Sequence, residues 1–387
     1  MKPIRIALVA GEASGDLLAA HLIQALKTRL PDARFYGIGG PKMQAQGFEA
    51  LWPAEKLAVR GYVEVLRHYR EITGIRRALL TQLKSDKPDL FIGVDAPDFN
   101  LWLETKLKSA GIQTVHFVSP SIWAWRGERI RKIAKAVSRM LALFPFEPPL
   151  YERQQIPVSY VGHPLADVIP MEVSRAAARE RLALGDVGGP VFALLPGSRQ
   201  SELQYMAETF IDTGKKLVQR FPKALFLVPL VSRETRNLFE EALWKLGAQD
   251  LPFKLLFGHA QDAMAASDAV LVASGTATLE AALLKRPMVI AYKMSPWSWK
   301  KMNRMRYQPW VGLPNVLAGR FVVPELLQDD ATPENLAQAL GNIIGDSQYE
   351  ARVDACFRNI HELLRQDTAQ KATAAILEHL DVGAVAA

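Results

Sequence analysis

The chain has 387 residues, and its 47 Lys and Arg against 40 Asp and Glu leave a formal net charge of +7. At about 150 residues per domain, that length predicts two or three domains, each with its own core. A single cysteine, Cys356, excludes a disulfide scaffold and a cysteine-ligated zinc site and fits a reducing compartment, while 49% hydrophobic and 22% charged residues exclude a disordered chain. No stretch approaches the roughly 18 uncharged apolar residues of a membrane-spanning helix, and the sequence opens on a strand-like run, so the chain is expected to be neither spanning nor exported. Three partner classes remain for a basic chain of this kind: nucleic acid, phosphorylated small molecules and an anionic membrane surface.

Short apolar runs alternate with longer amphipathic stretches from the start: IRIALVA, a helix-like run from Asp16 to Arg29, ARFYGIG, DLFIGV and TVHFV. This is the βαβ rhythm of a parallel sheet, and runs that are apolar throughout predict strands covered on both faces. A second series follows in VFALLPG, ALFLVPL, FKLLFG, DAVLVASG and PMVIAYK. Gly162, Pro164 and Pro170 punctuate the stretch between the two series, which puts a domain boundary near residue 168. The expected units are 1–168 and 169–340. Two or three helices run from Thr332 onward, and 341–387 is expected to form a C-terminal helical segment.

The first strand leads into GEASGD, whose Gly11 and Gly15 do not have the spacing of a dinucleotide fingerprint. Its small residues, Ser14 and Gly15 among them, still point backbone N–H groups to the carboxyl edge of the sheet; the plainer alternative is a tight turn with Ser14 as helix N-cap. In the second series Pro196, Gly197, Ser198 and Arg199 follow one buried strand. Ser274, Gly275 and Thr276 follow another and open a helix that carries Glu280. Helix N-termini beside small residues suit phosphate, Arg199 can supply a cation, and Glu280 suits a sugar or ribose hydroxyl pair, so together these turns favour a nucleotide diphosphate. Ordinary capping and a solvent-facing Glu280 is the alternative.

Asp98 follows a strand that ends near Asp95, where a carboxylate at the sheet edge can take a proton from a hydroxyl in an interdomain cleft; it is equally placed to be an N-cap. Asp95 reads as structural, His116 inside TVHFV as a core histidine, and His163 as either a hinge or a ligand contact. Between Lys285 and Arg306 stand seven basic residues and no acid, interleaved with Trp297 and Trp299. The pattern fits an interfacial membrane patch or a single-strand nucleic-acid platform. Further basic stretches lie at Val59–Leu83, where a core-facing helix is the alternative, and at 123–139, where a basic outer helix face is expected.

The motifs AGEASGD (10–16), GVDAPDFN (93–100), SPSIWAWR (119–126), GHPL (162–165), LLPGSRQSE (194–202), SGTATLE (274–280) and LPNVLAGRFVVPELLQ (313–328) together closely resemble the lipid-A-disaccharide synthases. That resemblance implies a GT-B glycosyltransferase, an α/β fold of two doubly wound Rossmann-like domains facing a cleft. It also implies an inverting, metal-independent transfer from UDP-2,3-diacylglucosamine to 2,3-diacylglucosamine 1-phosphate (lipid X), in the cytoplasm at the inner face of the membrane and with no cofactor. By the same resemblance Asp98 is the general base, and Arg199 and Asn315 are associated with UDP and catalysis. Substrate contacts are expected at Ser14, Gly15, Gly197, Ser198, Glu202, Ser274, Gly275, Thr276 and Glu280. A homodimer is expected; exchange of C-terminal segments in it would let Asn315 act on the partner's site, with action in its own chain as the alternative. A UDP-sugar 2-epimerase of the same fold and a nucleic-acid-binding protein are the alternatives.

Overall fold

The structure, a computed structural model, describes residues 3–57 and 62–380, with the side chains of Ala13, Glu55, residues 62–69 and Lys301 left aside. Val59 and Arg60 of the second basic stretch lie outside the described residues, as do the side chains of Tyr62, Val63, Val65, Leu66, Arg67 and Tyr69. The apolar runs form two sheets. The first contains β1 (Arg5–Ala10), β2 (Arg34–Gly39), β3 (Glu49–Pro53), β4 (Leu90–Val94), β5 (Gln113–Phe117), β6 (Arg139–Ala142) and β7 (Val158–Tyr160). The second contains β8 (Val191–Leu195), β9 (Leu225–Leu230), β10 (Phe253–Phe257), β11 (Ala269–Ala273), β12 (Met288–Tyr292) and β13 (Glu325–Leu327).

Every strand pair is parallel, in the orders β3-β2-β1-β4-β5-β6-β7 and β10-β9-β8-β11-β12-β13. The register pairs Val9 with Gly93 and Ala10 with Val94 in the first sheet, and Leu271 with Leu194 in the second. Because parallel neighbours need crossovers, helices cover both faces, and that is why the central strands are buried on both sides. In the first unit Leu8, Ile92 and Val115 face one helical layer, while Val9, Phe91, Leu103 and Leu107 fill the other. The second core gathers around Phe192, Phe210, Phe226 and Phe239.

The chain divides into two compact units, 1–167 with 364–387, and 168–363. The residues expected to form a separate C-terminal helical segment are therefore shared between the two units. Backbone chemistry returns the last helix (Thr368–Leu377) to the first unit. Asp167 accepts hydrogen bonds from Gln366 N, Asp367 N and Thr368 N at 3.1, 2.9 and 2.8 Å, so its carboxylate neutralises that helix N-terminus. His163 N donates to Leu364 O at 2.9 Å. Gly162 has φ 84° and room for no side chain, since a Cβ would lie 2.6 Å from Leu364 O. Ala372 and Ile376 then enter the first core.

Asp16 does the same for the short helix Pro41–Ala45, accepting from Gly40 N, Lys42 N and Met43 N at 2.9 to 3.1 Å. A Cβ on Gly40 would lie 2.6 Å from Asp16 Oδ2, which explains a glycine at the end of β2 without any ligand.

Removing the Asp167 carboxylate strands three backbone donors. Asp167→Ala is expected to lower unfolding stability by about 1–2 kcal/mol and to make the last helix more susceptible to proteolysis. An unchanged denaturation midpoint and cleavage pattern would show that this cap does not hold the segment.

Candidate functional site

In the second unit the strand order reverses between β8 and β11, and the turns beyond them open two helices, Gln200–Arg220 and Thr276–Leu283. Connections diverge at such a point and leave a crevice at the carboxyl edge of the sheet. A cavity of about 500 Å³ lies there, lined by Gly197, Ser198, Arg199 and Glu202 from one turn and by Ser274, Gly275, Thr276 and Glu280 from the other. Gly197 and Gly275 have φ of 130° and 152°, backbone that a side chain disfavours. Gly275 is the N-cap residue of its helix, and no side chain caps that end.

Glu202 lines the cavity and also braces its own turn. Its Oε2 accepts from Ser198 N at 2.9 Å and Arg199 N at 3.2 Å, so the carboxylate occupies the N–H groups that a phosphate would use and acts as the helix cap. The Arg199 guanidinium is largely exposed, 3.8 Å from Glu202 Oε1. Glu280 is not the solvent-facing residue of the plainer alternative. It is half-buried against the cavity, its carboxylate has no hydrogen bond or ion pair with a described residue, and burial pushes its carboxyl above the usual range. Tyr292, absent from the sequence-based set, also lines the cavity. Burial and then the charge of Glu202 raise its phenol. The signal for it was present, since Tyr292 ends the strand next to β11.

In the first unit the reversal lies between β1 and β4. The helix Ala13–Arg29 begins one residue before Ser14, with Glu12 in the N-cap position, so Ser14 is exposed in the first turn but is not the cap. Gly15 is buried, and a Cβ there would touch Ala10 Cβ and Val94 O at 3.6 Å; its place is helix-on-sheet packing. Asp98 is not an N-cap either. Ala96 holds that position for the helix Pro97–Lys108, and the Asp98 carboxylate is 87% exposed with Arg129 Nη2 3.0 Å from its Oδ1. Arg76 Nη1 donates to Asp98 O at 3.3 Å.

Asn315 holds the loop at Val322 and Val323 rather than belonging to either cavity-lining turn. It is fully buried: its Nδ2 donates to Val323 O and Glu325 Oε1 at 2.9 and 2.8 Å, and its Oδ1 accepts from Val322 N and Val323 N at 2.7 and 3.0 Å. An amide with every group engaged pins a loop and has nothing left for a substrate. His116 is a core residue paired with Glu104. His163 stacks on Phe144 at a centroid distance of 5.7 Å, and burial lowers its pKa to about 4, so it is a neutral structural contact at neutral pH.

The basic window is smaller than its sequence suggests. Lys285 is buried, 2.6 Å from His361 Nδ1, with its ammonium lowered to about 8 by burial. Arg286 is also buried, donates to Ala265 O and Val173 O, and is lowered to about 10, again by burial. Lys293 donates to Thr209 Oγ1. What remains outward is the helix Pro296–Met305 with Trp297, 84% exposed, Lys300 and Arg304, and then Arg306 just beyond it. In the second stretch Ile72 and Ile75 pack toward the core and Arg76 lies 4.3 Å over the Trp102 ring. In the third, Arg131, Lys132 and Lys135 face out from a helix that buries Ile133 and Ala136. Among the described residues no three His, Cys, Asp or Glu side chains are grouped to hold a metal, and no helix is long and apolar enough to cross a membrane.

A family model described as Lipid-A-disaccharide synthetase matches residues 6–379. The chain is 64% identical over 379 residues to the lipid-A-disaccharide synthase of Dechloromonas aromatica (strain RCB), covering 98% of this chain and 99% of that protein. It is 62% identical over 380 residues to the synthase of Azoarcus sp. (strain BH72), covering 98% and 97%. Among solved structures it resembles the UDP-GlcNAc 2-epimerase from Neisseria meningitidis bound to UDP-GlcNAc, with TM-score 0.65, 14% identity and coverage of 97% of this chain and 99% of that one. It also resembles CalG4, the calicheamicin glycosyltransferase, with TM-score 0.60, 14% identity and 100% of both chains covered. Likeness at that identity speaks for the fold alone, the GT-B pairing of parallel-sheet α/β domains.

Glu280 gives a test that needs no substrate. Burial raises its carboxyl in the folded protein above the unfolded value, so its contribution is most favourable at low pH and is lost as pH rises through the ordinary carboxylate range. Glu280→Gln should match the parent in stability near about pH 4 and exceed it above about pH 7. A stability difference that stays constant with pH would contradict the burial of an unpaired carboxyl.

Proposed function

The chain belongs to the lipid-A-disaccharide synthase family, glycosyltransferases of lipid A biosynthesis, and from that premise we propose that it joins UDP-2,3-diacylglucosamine to lipid X, releasing UDP. The observation that carries this reading is the unpaired Glu280 carboxyl in one cavity with the uncapped N-terminus of the helix Thr276–Leu283. An acceptor for a hydroxyl pair beside a set of N–H groups is the complement of a nucleoside diphosphate sugar.

The 6-hydroxyl oxygen of lipid X attacks the anomeric carbon of the donor as the bond from that carbon to the diphosphate breaks, and the electron pair leaves on UDP. A single displacement inverts the anomeric centre and gives the β-1,6-linked disaccharide 1-phosphate. Asp98 takes the hydroxyl proton; its exposure leaves it accessible, and Arg129 fixes one of its oxygens. Arg199 and the helix N-terminus, with Ser274, Gly275 and Thr276, meet the charge that develops on the diphosphate, so no metal ion is invoked. Gly197, Ser198 and Glu202 shape the loop that presents Arg199. Ser14 is assigned to the acceptor side, and Asn315 a positioning role. In a homodimer formed by segment exchange, Asp167 of one copy would cap the last helix of the other through the same hydrogen bonds.

Asp98→Asn should lower turnover by about 10²–10⁴ while UDP affinity is unchanged. Arg199→Ala should weaken UDP binding about 10- to 100-fold, the scale of one charge-assisted hydrogen bond, and a chelator should leave wild-type turnover unchanged. Near-normal turnover in Asp98→Asn removes Asp98 as base; unchanged UDP affinity in Arg199→Ala removes Arg199 from the diphosphate.

Contact with the inner membrane surface is assigned to the helix Pro296–Met305, through Trp297 and the outward cations. Trp297→Ser combined with Lys300→Ser should reduce sedimentation with anionic vesicles, while neutral vesicles bind neither form. Equal sedimentation of the two forms would place the membrane-facing surface elsewhere.

A further inference from the structure

Beneath the turn that presents Asp98 runs a line of buried polar groups that the transfer step does not use. Asn100 is fully buried in the second layer of that turn. Its Nδ2 donates to Asp95 O at 2.8 Å and lies 3.4 Å from both Val9 O and Val94 O, so one amide joins the carboxyl ends of β1 and β4 to the start of the turn. The turn needs that hold. Asp95 and Ala96 have φ of 52° and 44°, two successive non-glycine residues in the left-handed region. Such a conformation persists only where its surroundings over-determine it.

Four residues further along the same helix, Glu104 is also fully buried, with Oε1 2.7 Å from His116 Nδ1 on β5. Both helix side chains crowd onto Gly93 of β4. A Cβ there would collide with Glu104 Oε1 and lie 3.0 Å from Asn100 Cγ. Asn100 Oδ1 and Glu104 Oε2 are both buried without a hydrogen-bond partner among the described residues. Residues four apart on a helix are neighbours, and a carboxyl that keeps its proton changes from acceptor to donor, so Glu104 Oε2–H can donate to Asn100 Oδ1. Burial acts in that direction, pushing the Glu104 carboxyl up against the opposing pull of His116. An ionised Glu104 would instead draw the Asn100 NH₂ toward itself, turn the amide over and set its oxygen against the backbone carbonyls.

We propose that Asn100 is a positioning residue for Asp98, and that a neutral Glu104, anchored to β5 by His116, fixes which way the Asn100 amide faces. This rests on the reading of Asp98 as the base. The experiment measures kcat, KM for the UDP-sugar and UDP affinity in the full-length protein for Asn100→Ala, Asn100→Ser, Glu104→Gln, Glu104→Ala and Asp98→Ala.

Asn100→Ala should lower kcat about tenfold or more with KM and UDP affinity nearly unchanged, because the base is displaced while the groups that bind substrate stay in place. Asn100→Ser, which retains a donor, should be intermediate and serves if the alanine variant does not fold. Glu104→Gln keeps a donor toward Asn100 and an acceptor toward His116 and should remain within about threefold of wild type, whereas Glu104→Ala should resemble Asn100→Ala. In an Asp98→Ala background, Asn100→Ala should have no further effect. Full kcat in folded Asn100→Ala and Asn100→Ser overturns the positioning role, and a Glu104→Gln as impaired as Glu104→Ala overturns the neutral carboxyl. Near-normal turnover in Asp98→Ala removes the base itself, an outcome distinct from both.

Discussion

In each sheet the chain begins at an inner strand, winds outward to one edge, returns beside the first strand and winds outward the other way. Where the order reverses, between β1 and β4 and between β8 and β11, the two connections leave the carboxyl edge in opposite directions. The right-handed crossover rule allows no helix to cover that gap, so a crevice forms whatever the side chains. The motif-bearing turns at 11–16, 95–98, 196–199 and 274–276 all stand at these two points. Their chemistry follows from their address in the sheet, and the buried apolar strands that build the sheet are what make the address reliable.

Which helix ends are open to a ligand is decided by electrostatics within the chain. A helix N-terminus presents unpaired N–H groups and partial positive charge, and several of these ends are closed by carboxylates of the protein itself. Asp16 closes Pro41–Ala45, Asp167 closes Thr368–Leu377 and Glu202 closes Gln200–Arg220. The helix Thr276–Leu283 has only Gly275 at its cap, and the carboxyl nearest in sequence, Glu280, lies beyond the first turn. That end is left without a side-chain cap, as are those of Ala13–Arg29 and Pro97–Lys108.

The fold was legible because parallel strands covered on both faces leave uninterrupted apolar runs such as IRIALVA and DAVLVASG. The two turns lining the second-unit cavity could be read for the same reason, each lying where such a run stops before a helix. What sequence could not supply were interactions between distant residues. Asp167 and Gln366 are 199 positions apart, so nothing local shows that the last helix belongs with the first unit. Lys285 and Arg286 look like part of a cationic patch until their buried carbonyl partners at Pro170, Val173 and Ala265 are known. Asn315 sits in a distinctive motif, and only its four hydrogen bonds identify it as a pin for the loop at Val322 and Val323. Helix boundaries moved by a residue or two, which removed the capping alternatives for Ser14 and Asp98.

The most direct measurement is mass-spectrometric detection of product from the purified full-length protein incubated with UDP-2,3-diacylglucosamine and lipid X, alongside the UDP-sugar alone. The two units acting as a lipid glycosyltransferase predict a disaccharide 1-phosphate and an equal amount of UDP only when both substrates are present. Failure to form the disaccharide with both present, or conversion of the UDP-sugar to an epimer without lipid X, would contradict it.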